Sequence, residues 1–287
     1  MNIAEWFPNW RGETVVGGYK IMEEIAKGGM STIYKAISPR TQEIVAIKIL
    51  FSHHTRQKDR LRAIFVEKQV EGEIAIELNH PQVINTHSYG KIHNRYYFIM
   101  DYIKGLNLKH LIHRETSLLK GNKIDVIRQA AQGLSYIHSH GIIHRDICPK
   151  NILVSEKGDV KIIDFGLAIS KSNRYRGSGE RAGTPSYMAP EQVRALEPDE
   201  RTDIYNFGVT MYEVIAGKAP FLGVDDFSRM QQNLTFEPVP LDRKVPDVPS
   251  ALTKIVSKAM QKEPRNRYKS MDDLINDLEE AKLKESL

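Results

Sequence analysis

The sequence predicts an α+β protein made of two lobes. Strand-like segments dominate about the first hundred residues, whereas long stretches further along have the three-to-four-residue apolar rhythm of helices. The 287 residues exceed what one small core needs and fit two lobes with a cleft between them, where ligands tend to bind.

A glycine-rich turn lies between the first two predicted strands. Residues 19–25 and 32–36 have a strand-like pattern, and residues 26–31 form the turn. Gly28 and Gly29 would let backbone amides approach phosphate groups with no side chain in the way. A plain hairpin turn explains the same glycines equally well.

The third predicted strand carries a lysine on an apolar face. It contains the run Val45-Ala46-Ile47-Lys48, in which Lys48 shares one face with Ile44 and Ala46. A lysine on the inward face of an apolar strand needs a counter-charge.

A predicted helix at about residues 59–78 can supply that counter-charge to Lys48. Glu71 lies on the apolar stripe of this helix, and an acid on an inward stripe is usually paired. Glu67 and Glu73 are displaced from the centre of the stripe and are the alternatives.

The remaining predicted elements are mostly helical. They are a buried strand at 96–100, a helix at about 121–140 that ends at Gly141, a short strand pair at 152–154 and 160–162, a helix at 202–216, and a last helix marked by Leu252, Ile255, Val256 and Ala259. Residues 237–249 are rich in proline and could be a linker between domains. Because a helical pattern follows directly, we interpret them as a loop within the second lobe.

Composition and charge exclude several classes of protein. The 41 basic and 36 acidic residues give a net charge of +5, which is mild and spread along the chain, so we expect no nucleic-acid partner. Cys148 is the single cysteine, which excludes an intrachain disulfide and favours a reducing compartment. No apolar run is long enough to span a membrane, and residues 1–5 lack the basic start of a signal peptide. We therefore expect a cytoplasmic location.

Three motifs in the second half of the chain occur in a fixed order. They are His144-Arg145-Asp146-Ile147-Cys148-Pro149-Lys150-Asn151, Asp164-Phe165-Gly166 and Ala189-Pro190-Glu191. Each alone has an ordinary explanation, such as a turn at the end of a strand. Their order and spacing match the catalytic loop, the metal-binding triplet and the end of the activation segment of protein kinases. The chain resembles a protein kinase catalytic domain, of the bacterial eukaryotic-like serine/threonine type.

This resemblance implies a bilobal protein-kinase fold, with a small antiparallel-sheet N-lobe that includes one helix, αC in that family, and a larger, mainly helical C-lobe. The implied boundaries are an aromatic-rich arm at 1–18, a kinase domain at 19–280 and a tail at 281–287, with the N-lobe at about 19–100, the hinge at 101–105 and the C-lobe at about 106–280. Similar bacterial kinases often continue into a membrane anchor, so this prediction also allows such a region beyond Leu287.

The resemblance also implies the chemistry. Asp146 would accept the proton of the substrate hydroxyl, and Lys48 paired with Glu71 would hold the ATP phosphates. Asn151 and Asp164 would bind Mg²⁺, or Mn²⁺ in its place, since hard oxygen ligands suit these ions. Phosphoryl transfer needs mainly positioning and charge, which such a set supplies.

The same resemblance implies a nucleotide site. Its residues lie in the glycine turn, the small lobe, the hinge and the larger lobe: Ile25, Gly28, Gly29, Ile33, Ala46, Lys48, Met100, Asp101, Tyr102, Ile103 and Leu153. Met100 would be the gatekeeper, the backbone of residues 101–103 would meet adenine, and Ile33, Ala46 and Leu153 would enclose it. Core packing accounts for these last three residues equally well.

Two further residues would hold the larger lobe together. Asp203 resembles the buried aspartate that anchors the catalytic-loop backbone, and Arg267 matches the arginine that pairs with Glu191; a surface charge is the ordinary alternative for Arg267. The run Gly183-Thr184-Pro185-Ser186-Tyr187-Met188 favours Ser/Thr over Tyr specificity, because tyrosine kinases usually carry a Trp and a Pro there.

The chain departs from the family at the glycine turn and in the catalytic loop. Ala26 and Ser31 replace glycines, and Cys148 stands where Ser/Thr kinases nearly always carry a lysine that meets the γ-phosphate. Lys150 could supply the missing charge, because a long ammonium stem can reach a phosphate from a second position. The alternatives are a solvent-facing Lys150 in a slow enzyme, or an engineered or redox-sensitive Cys148.

Arg145 implies regulation by phosphorylation, since this arginine pairs with a phosphate on the activation segment of similar kinases. Among the acceptors Ser170, Ser172, Tyr175 and Ser178, the resemblance favours autophosphorylation at Ser178. Thr184 is better kept for a structural role near the catalytic loop.

Rival functions and partners follow from the same residues. A pseudokinase scaffold without turnover and a small-molecule phosphotransferase are the alternatives, although the long activation segment favours protein substrates. The segment at residues 1–18 is too rich in aromatic side chains for an ordinary disordered tail, since it contains Trp6, Phe7 and Trp10. They predict an arm packed on the small lobe or, alternatively, a docking or homodimer surface.

Overall fold

The computed structural model describes residues 15–29, 31–51, 71–92, 95–170 and 181–285, with side chains up to residue 281. The chain divides into two compact units, of which the first comprises Met1–Leu78 and Asn85–Ile103 and the second Asn79–Ile84 and Lys104–Leu287. The predicted aromatic arm, with Trp6, Phe7 and Trp10, lies outside the described residues.

The described strands of the first unit form one six-stranded antiparallel sheet, in the order β1-β2-β3-β4-β6-β5. They are β1 Val15–Val16, β2 Tyr19–Lys27, β3 Ser31–Ile37, β4 Ile44–Leu50, β5 Thr86–Ile92 and β6 Arg95–Asp101. Gly17 and Gly18 both have positive φ angles, as a two-residue hairpin turn requires, so that Val16 pairs with Tyr19. The sheet therefore includes Val15 and Val16, which lie ahead of the predicted start of the small lobe.

The two faces of this sheet differ because side chains alternate along each strand. One face builds the hydrophobic core, which includes Val16, Tyr34, Ala36, Val45, Ile47, Ile49 and Ile99. On the opposite face Lys48 lies across from Ile33 on one side and from Phe98 on the other. The lysine that the sequence places on one face with Ala46 is thus on the face that does not build this core.

The glycine turn is shorter than the sequence predicts. Ala26 pairs with Ile33, and Lys27 pairs with Thr32, so both residues belong to the ladder. The turn closes with a 2.8 Å hydrogen bond from the Gly28 amide to the Ser31 carbonyl. The reason is that two long antiparallel strands continue their register as far as backbone pairing allows.

Residues 71–77 form a helix, here α1. Glu71, Ile74 and Ala75 are buried on it, whereas Glu73 is exposed. The rest of the predicted helix, with the alternative Glu67, lies outside the described residues. This burial pattern favours Glu71 over Glu73 as the inward acid.

The second unit is mainly helical, which confirms the predicted α+β class. Its described helices are α2 Leu108–His113, α3 Lys123–Ser139, α4 Pro190–Val193, α5 Glu200–Ala216, α6 Asp226–Thr235, α7 Ser250–Ala259 and α8 Met271–Glu285. Its strands are β7 Gly105–Asn107, β8 Ile142–Ile143, β9 Ile152–Ser155, β10 Val160–Ile162 and β11 Ile169–Ser170. The strands pair as β10-β9-β7 and β11-β8, all antiparallel. Nowhere in the described ranges is there a helix with the length and hydropathy that a membrane crossing requires.

Helix α5 forms the centre of this unit, since its residues from Thr202 to Ile215 are all buried. Asp199 caps its first turn by accepting a 2.8 Å bond from the Arg201 amide, so the helix starts before the predicted residue 202. Gly217 ends it in the left-handed conformation, with φ of 75°. A helix buried on all sides places its polar residues in the interior, where each needs a partner.

The pair Glu191–Arg267 is buried, as the resemblance implies. The guanidinium donates 2.7 and 2.9 Å bonds to the two carboxylate oxygens, and its other N–H groups reach the carbonyls of Gln261, Arg201 and Lys262. The surface-charge alternative for Arg267 is wrong, because only 4% of the residue is exposed. This pair ties the start of α4 to the segment before α8.

Removing the arginine should therefore be costly. We expect Arg267→Met to lower the free energy of unfolding by about 3–5 kcal/mol, because it leaves Glu191 buried without a counter-charge. The exposed pair Arg229–Asp226 is the control, and Arg229→Ala should cost less than about 1 kcal/mol. Urea denaturation measures both variants, and a loss below about 1 kcal/mol for Arg267→Met would contradict the assigned role.

Candidate active site

The first unit contributes a buried ion pair. Lys48 Nζ lies 3.4 Å from Glu71 Oε1, with 12% and 5% of the two side chains exposed. The ammonium also lies 5.8 Å from the centre of the Phe98 ring. Strand β4 and helix α1 thus present a fixed positive charge, and Glu71, the acid favoured by the sequence, is its ion-pair partner.

A glycine that the sequence interpretation missed brings α1 close to the sheet. Gly72 follows Glu71, and a Cβ atom built there would lie 2.5 Å from the Tyr89 ring. Tyr89 in turn stacks on Phe98, with ring centroids 6.3 Å apart. The helix therefore packs directly on an aromatic pair, and the absence of a side chain at residue 72 sets the approach of Glu71 to Lys48.

The predicted adenine-binding residues of this unit are neighbours in the sheet. Ala46 pairs with Met100 across β4 and β6, and Ile33 lies on the same face. Asp101 ends β6, where its amide donates a 3.0 Å bond to the Asn85 carbonyl and its carboxylate lies 2.9 Å from His87. Tyr102 and Ile103 follow and are half-buried, and the second unit starts again at Lys104. Leu153, the remaining predicted contact, lies on β9 of that unit.

The glycine turn leaves room for a ligand. A Cβ atom at Gly29 would meet no atom within 4 Å, and one at Gly28 would meet only the Ser31 carbonyl at 3.6 Å. Ile25 sits at a β-bulge next to this turn and is 45% exposed. Among the described residues no atom packs against either glycine closely enough to require it, so on that side a group could approach the backbone of the turn.

In the second unit, Asp203 holds the loop that carries Asp146. Its two carboxylate oxygens accept 2.8 Å bonds from the backbone amides of His144 and Arg145, and one of them lies 2.9 Å from His138 Nε2. Arg145 has a φ of 64°, a left-handed conformation that costs about 1–3 kcal/mol outside glycine. The anchoring bonds of Asp203 maintain this conformation.

The carboxylate of Asp146 is held by two donors. Asn151 Nδ2 donates a 2.8 Å bond to one oxygen, and the Thr184 amide donates a 2.7 Å bond to the other. Burial raises the pKa of Asp146 above its ordinary value, while the bonds from Thr184 and Asn151 oppose that shift. The geometry thus orients an acceptor carboxylate in a largely desolvated place.

Asn151 and Asp164, the predicted metal ligands, are linked through the backbone. The amide of Ile163, which precedes Asp164, donates a 2.9 Å bond to the Asn151 carbonyl, and Asp164 has a φ of 69°. Because Asn151 Nδ2 is engaged with Asp146, its amide oxygen is the atom it can offer to a cation. One carboxylate and one amide oxygen fit Mg²⁺ that is also held by phosphate oxygens. Within the described ranges, no three or more His, Cys, Asp or Glu side chains form a metal-binding group.

Cys148 is buried beside the proposed base. Only 1% of the residue is exposed, and its Sγ lies 3.8 Å from Thr184 Oγ1. Burial, together with the nearby Asp146 charge, raises the pKa of this thiol to about 12. The thiolate is therefore scarce at neutral pH, which weighs against the redox-sensitive alternative. Lys150 is exposed. Exposure fits both predicted roles, a side chain that contacts phosphate and an ordinary surface lysine.

The segment before Ala189 packs onto the catalytic loop. Gln192 Nε2 donates 2.7 and 2.8 Å bonds to the carbonyls of Arg145 and Ala182, a bridge that the sequence interpretation missed. Arg145 Nε donates to the Leu167 carbonyl at 2.5 Å. Of the predicted phosphorylation acceptors, Ser170 lies in β11, while Ser172, Tyr175 and Ser178 are outside the described residues.

The family model described as protein kinase domain matches residues 19–277. The serine/threonine-protein kinase PknB of Mycolicibacterium smegmatis is 32% identical over 267 residues, which cover 91% of this chain and 42% of that protein. A probable serine/threonine-protein kinase of Clostridium acetobutylicum is 33% identical over 273 residues, covering 94% of this chain and 41% of that protein. The PknB of Mycobacterium tuberculosis strain H37Rv is 32% identical over 267 residues, with 91% and 42% covered. The chain thus spans about two fifths of the length of these relatives.

Gly72 offers a test of the first half of the site. Alanine is intrinsically better than glycine in a helix, so a helix without tertiary contacts would gain stability from Gly72→Ala. We expect the opposite, a loss of about 1–3 kcal/mol of unfolding free energy, because the new Cβ clashes with Tyr89.

Gly29→Ala is the matched control, since a Cβ atom there meets open space. The double variant Gly72→Ala/Tyr89→Leu should recover part of the loss. Urea denaturation of the three variants decides the point, and a Gly72→Ala protein as stable as the original would refute the packing argument.

Proposed function

The chain belongs to the protein kinase family, and from this we propose that it transfers the γ-phosphoryl group of ATP to serine or threonine hydroxyls of proteins. The observation that carries the proposal is the half-buried carboxylate of Asp146, which is oriented by hydrogen bonds from Asn151 and Thr184. An acceptor carboxylate in that setting suits the general base that receives a hydroxyl proton.

The nucleotide half of the reaction rests on charge and space. Lys48, fixed by Glu71, supplies a positive charge for the ATP phosphates, and the open turn at Gly28 and Gly29 admits them to the backbone. Asn151 and Asp164 would hold Mg²⁺ or Mn²⁺. When bound, the cation would offset the negative charge of the phosphate oxygens.

Serine/threonine specificity and protein substrates are supported by two observations. The relatives that match are named as serine/threonine kinases. In addition, the segment from Thr184 to Met188 leads directly into α4 and bonds to Asp146, as expected for a platform that receives a polypeptide. A small-molecule phosphotransferase has less need of such a segment.

A pseudokinase without turnover is the alternative function. The intact set Lys48, Glu71, Asp146, Asn151 and Asp164 argues against it. The departures from the family at Ala26 and Cys148 are the features that favour it. Ala26 only continues the β2 ladder, so its departure from glycine has an ordinary structural explanation.

The partners and the compartment are proposals as well. The mild net charge of +5 supports protein substrates and ATP over nucleic acid. The buried free thiol of Cys148 is compatible with the cytoplasm as the compartment. A homodimer through the first unit rests on the aromatic residues near Trp6 and Trp10 alone.

The catalytic proposal is tested with labelled ATP, Mg²⁺ and dephosphorylated casein. We expect Asp146→Asn to slow transfer by about 10²- to 10⁴-fold while nucleotide still binds, since the base is lost but the phosphate contacts remain. Asp164→Asn should also weaken metal-dependent nucleotide binding. Asp242→Asn, an exposed acid, is the control. Near-normal transfer by the Asp146 variant would remove the basis of the assignment.

Lys150 is proposed to supply the charge that Cys148 does not. Cys148 is buried, so Cys148→Lys tests whether the loop can accept the family's lysine, while Lys150→Ala removes the exposed ammonium. We expect Lys150→Ala to slow single-turnover transfer by more than about threefold, and Cys148→Lys to restore the rate in the double variant. A smaller effect without rescue would show that the two residues do not compensate.

Ser178 is proposed as the autophosphorylated residue whose phosphate pairs with Arg145. Mass spectrometry of the active protein should find the phosphate on Ser178, and Ser178→Ala should lower the transfer rate. Arg145→Ala should then lower the rate without a further loss from Ser178→Ala. Phosphate on Ser170 or Ser172, with Ser178 unmodified, would overturn this assignment.

A further inference from the structure

Helix α6 is attached to the second unit through a polar residue. All ten of its residues, from Asp226 to Thr235, are described, and Asn233 is the buried one among them. Phe227 on the same helix is 63% exposed. A surface helix normally faces the core with an apolar stripe, so an amide in that position indicates a specific hydrogen-bonding role.

The side-chain amide and the backbone carbonyl of Asn233 all make hydrogen bonds. Its Nδ2 donates to the carbonyls of Pro185 at 3.0 Å and of Arg229 at 3.2 Å, and its Oδ1 accepts a 3.1 Å bond from the Tyr205 hydroxyl. Its backbone carbonyl accepts a 2.9 Å bond from Lys262 Nζ. Tyr205 lies on the buried helix α5, so Asn233 connects α6, the core and the segment at Pro185.

Pro185 is the next residue after Thr184, whose amide bonds to Asp146. Proline has no backbone N–H, so its carbonyl is the one backbone group with which Pro185 can be held by hydrogen bonding. Asn233 Nδ2 donates a hydrogen bond to that carbonyl. The Thr184 amide donates the 2.7 Å bond to the carboxylate of Asp146. Asn233 therefore holds the residue next to this donor.

The neighbouring carbonyls are held in the same manner. Gln192 Nε2 binds the Ala182 carbonyl, and Asn206 Nδ2 binds the Tyr187 carbonyl at 2.6 Å. Both amides are buried and lie on α4 and α5. Asn233 differs because it reaches the segment from α6, a helix on which Phe227 is exposed and Asn233 is the buried residue. Its bond is thus the link from this outer helix to the residue beside the base.

We propose that Asn233 is a positioning residue for the acceptor polypeptide. By fixing Pro185 it sets the place of the segment from Thr184 to Tyr187 against Asp146, and hence the affinity for an extended Ser- or Thr-containing protein segment. The inference rests on the proposed kinase function. The bonds of Asn233 reach Pro185, Arg229, Tyr205 and Lys262, none of which is a predicted nucleotide contact, so ATP binding is independent of it.

The test compares Asn233→Ala and Asn233→Asp with Gln231→Ala. The aspartate keeps the size and the acceptor oxygen of Asn233 but has no Nδ2 donor for Pro185. Gln231 is an exposed amide on the same helix. We expect both Asn233 variants to raise the KM for dephosphorylated casein about tenfold, as loss of a buried hydrogen bond allows, with the KM for ATP changed less than about twofold.

Hydrogen exchange of the Thr184 amide is measured on the same proteins and needs no turnover. Faster exchange in both Asn233 variants, with Gln231→Ala unchanged, supports the inference. Unchanged exchange, or equal rises in the KM values for casein and ATP that follow a drop in Tm, overturns it and leaves Asn233 a purely structural residue. If the unsubstituted protein fails to phosphorylate casein, the proposed function fails, whereas the exchange result still decides whether Asn233 holds the segment.

Discussion

The buried carboxylate of Asp203 fixes the geometry of the loop that carries Asp146, the proposed base. It accepts bonds from two consecutive backbone amides, those of His144 and Arg145, and contacts His138 as well. A fully buried carboxylate is tolerated only when such donors replace water. The same bonds maintain the left-handed conformation of Arg145, which turns the chain so that Asp146 follows in place.

Asp203 can serve this purpose because it belongs to a helix that is buried on every side. Helix α5 brings Asp203, Asn206 and Tyr205 into the interior, where each bonds to a different part of the chain. Around it, side-chain amides and the buried guanidinium of Arg267 donate hydrogen bonds to backbone carbonyls. The carboxylate of Asp146, the proposed base, is thus positioned by a polar network, whose geometry is strict because an unpaired buried group is costly.

In the first unit, close packing of a helix on the sheet brings an ion pair together. There a lysine on a sheet face needs an acid, and the acid comes from a helix that must approach the sheet closely. Gly72 allows this approach against Tyr89, and the Lys48–Glu71 pair follows from it. The two units therefore prepare their parts of the proposed reaction independently, one by close packing and the other by hydrogen bonds.

The amino-acid sequence was sufficient to predict the class of fold and the main helices and strands, and to nominate the candidate site residues. Strand and helix periodicity is local, so β4, α3, α5 and α7 were predictable, and Glu71 followed from its place on the apolar stripe. The resemblance to protein kinases pointed to Asp146, Asn151, Asp164, Asp203 and Arg267, because each of them stands where that family has a residue with an assigned role. The boundaries of the glycine turn were less well predicted, since ladder register depends on the partner strand.

Other features were decided by tertiary structure alone. Nothing in the sequence distinguishes Gly72 from an ordinary glycine that weakens a helix. A side chain is excluded at this position because Tyr89, which is distant along the chain, packs against it. Gln192 and Asn233 look like surface amides until the fold brings them to the carbonyls of Ala182 and Pro185. Likewise, the raised pKa of the Cys148 thiol follows from its burial, which exists only in the folded chain. Periodicity and motif spacing are properties of neighbouring residues, whereas burial and hydrogen-bond partners exist only once distant segments are packed together.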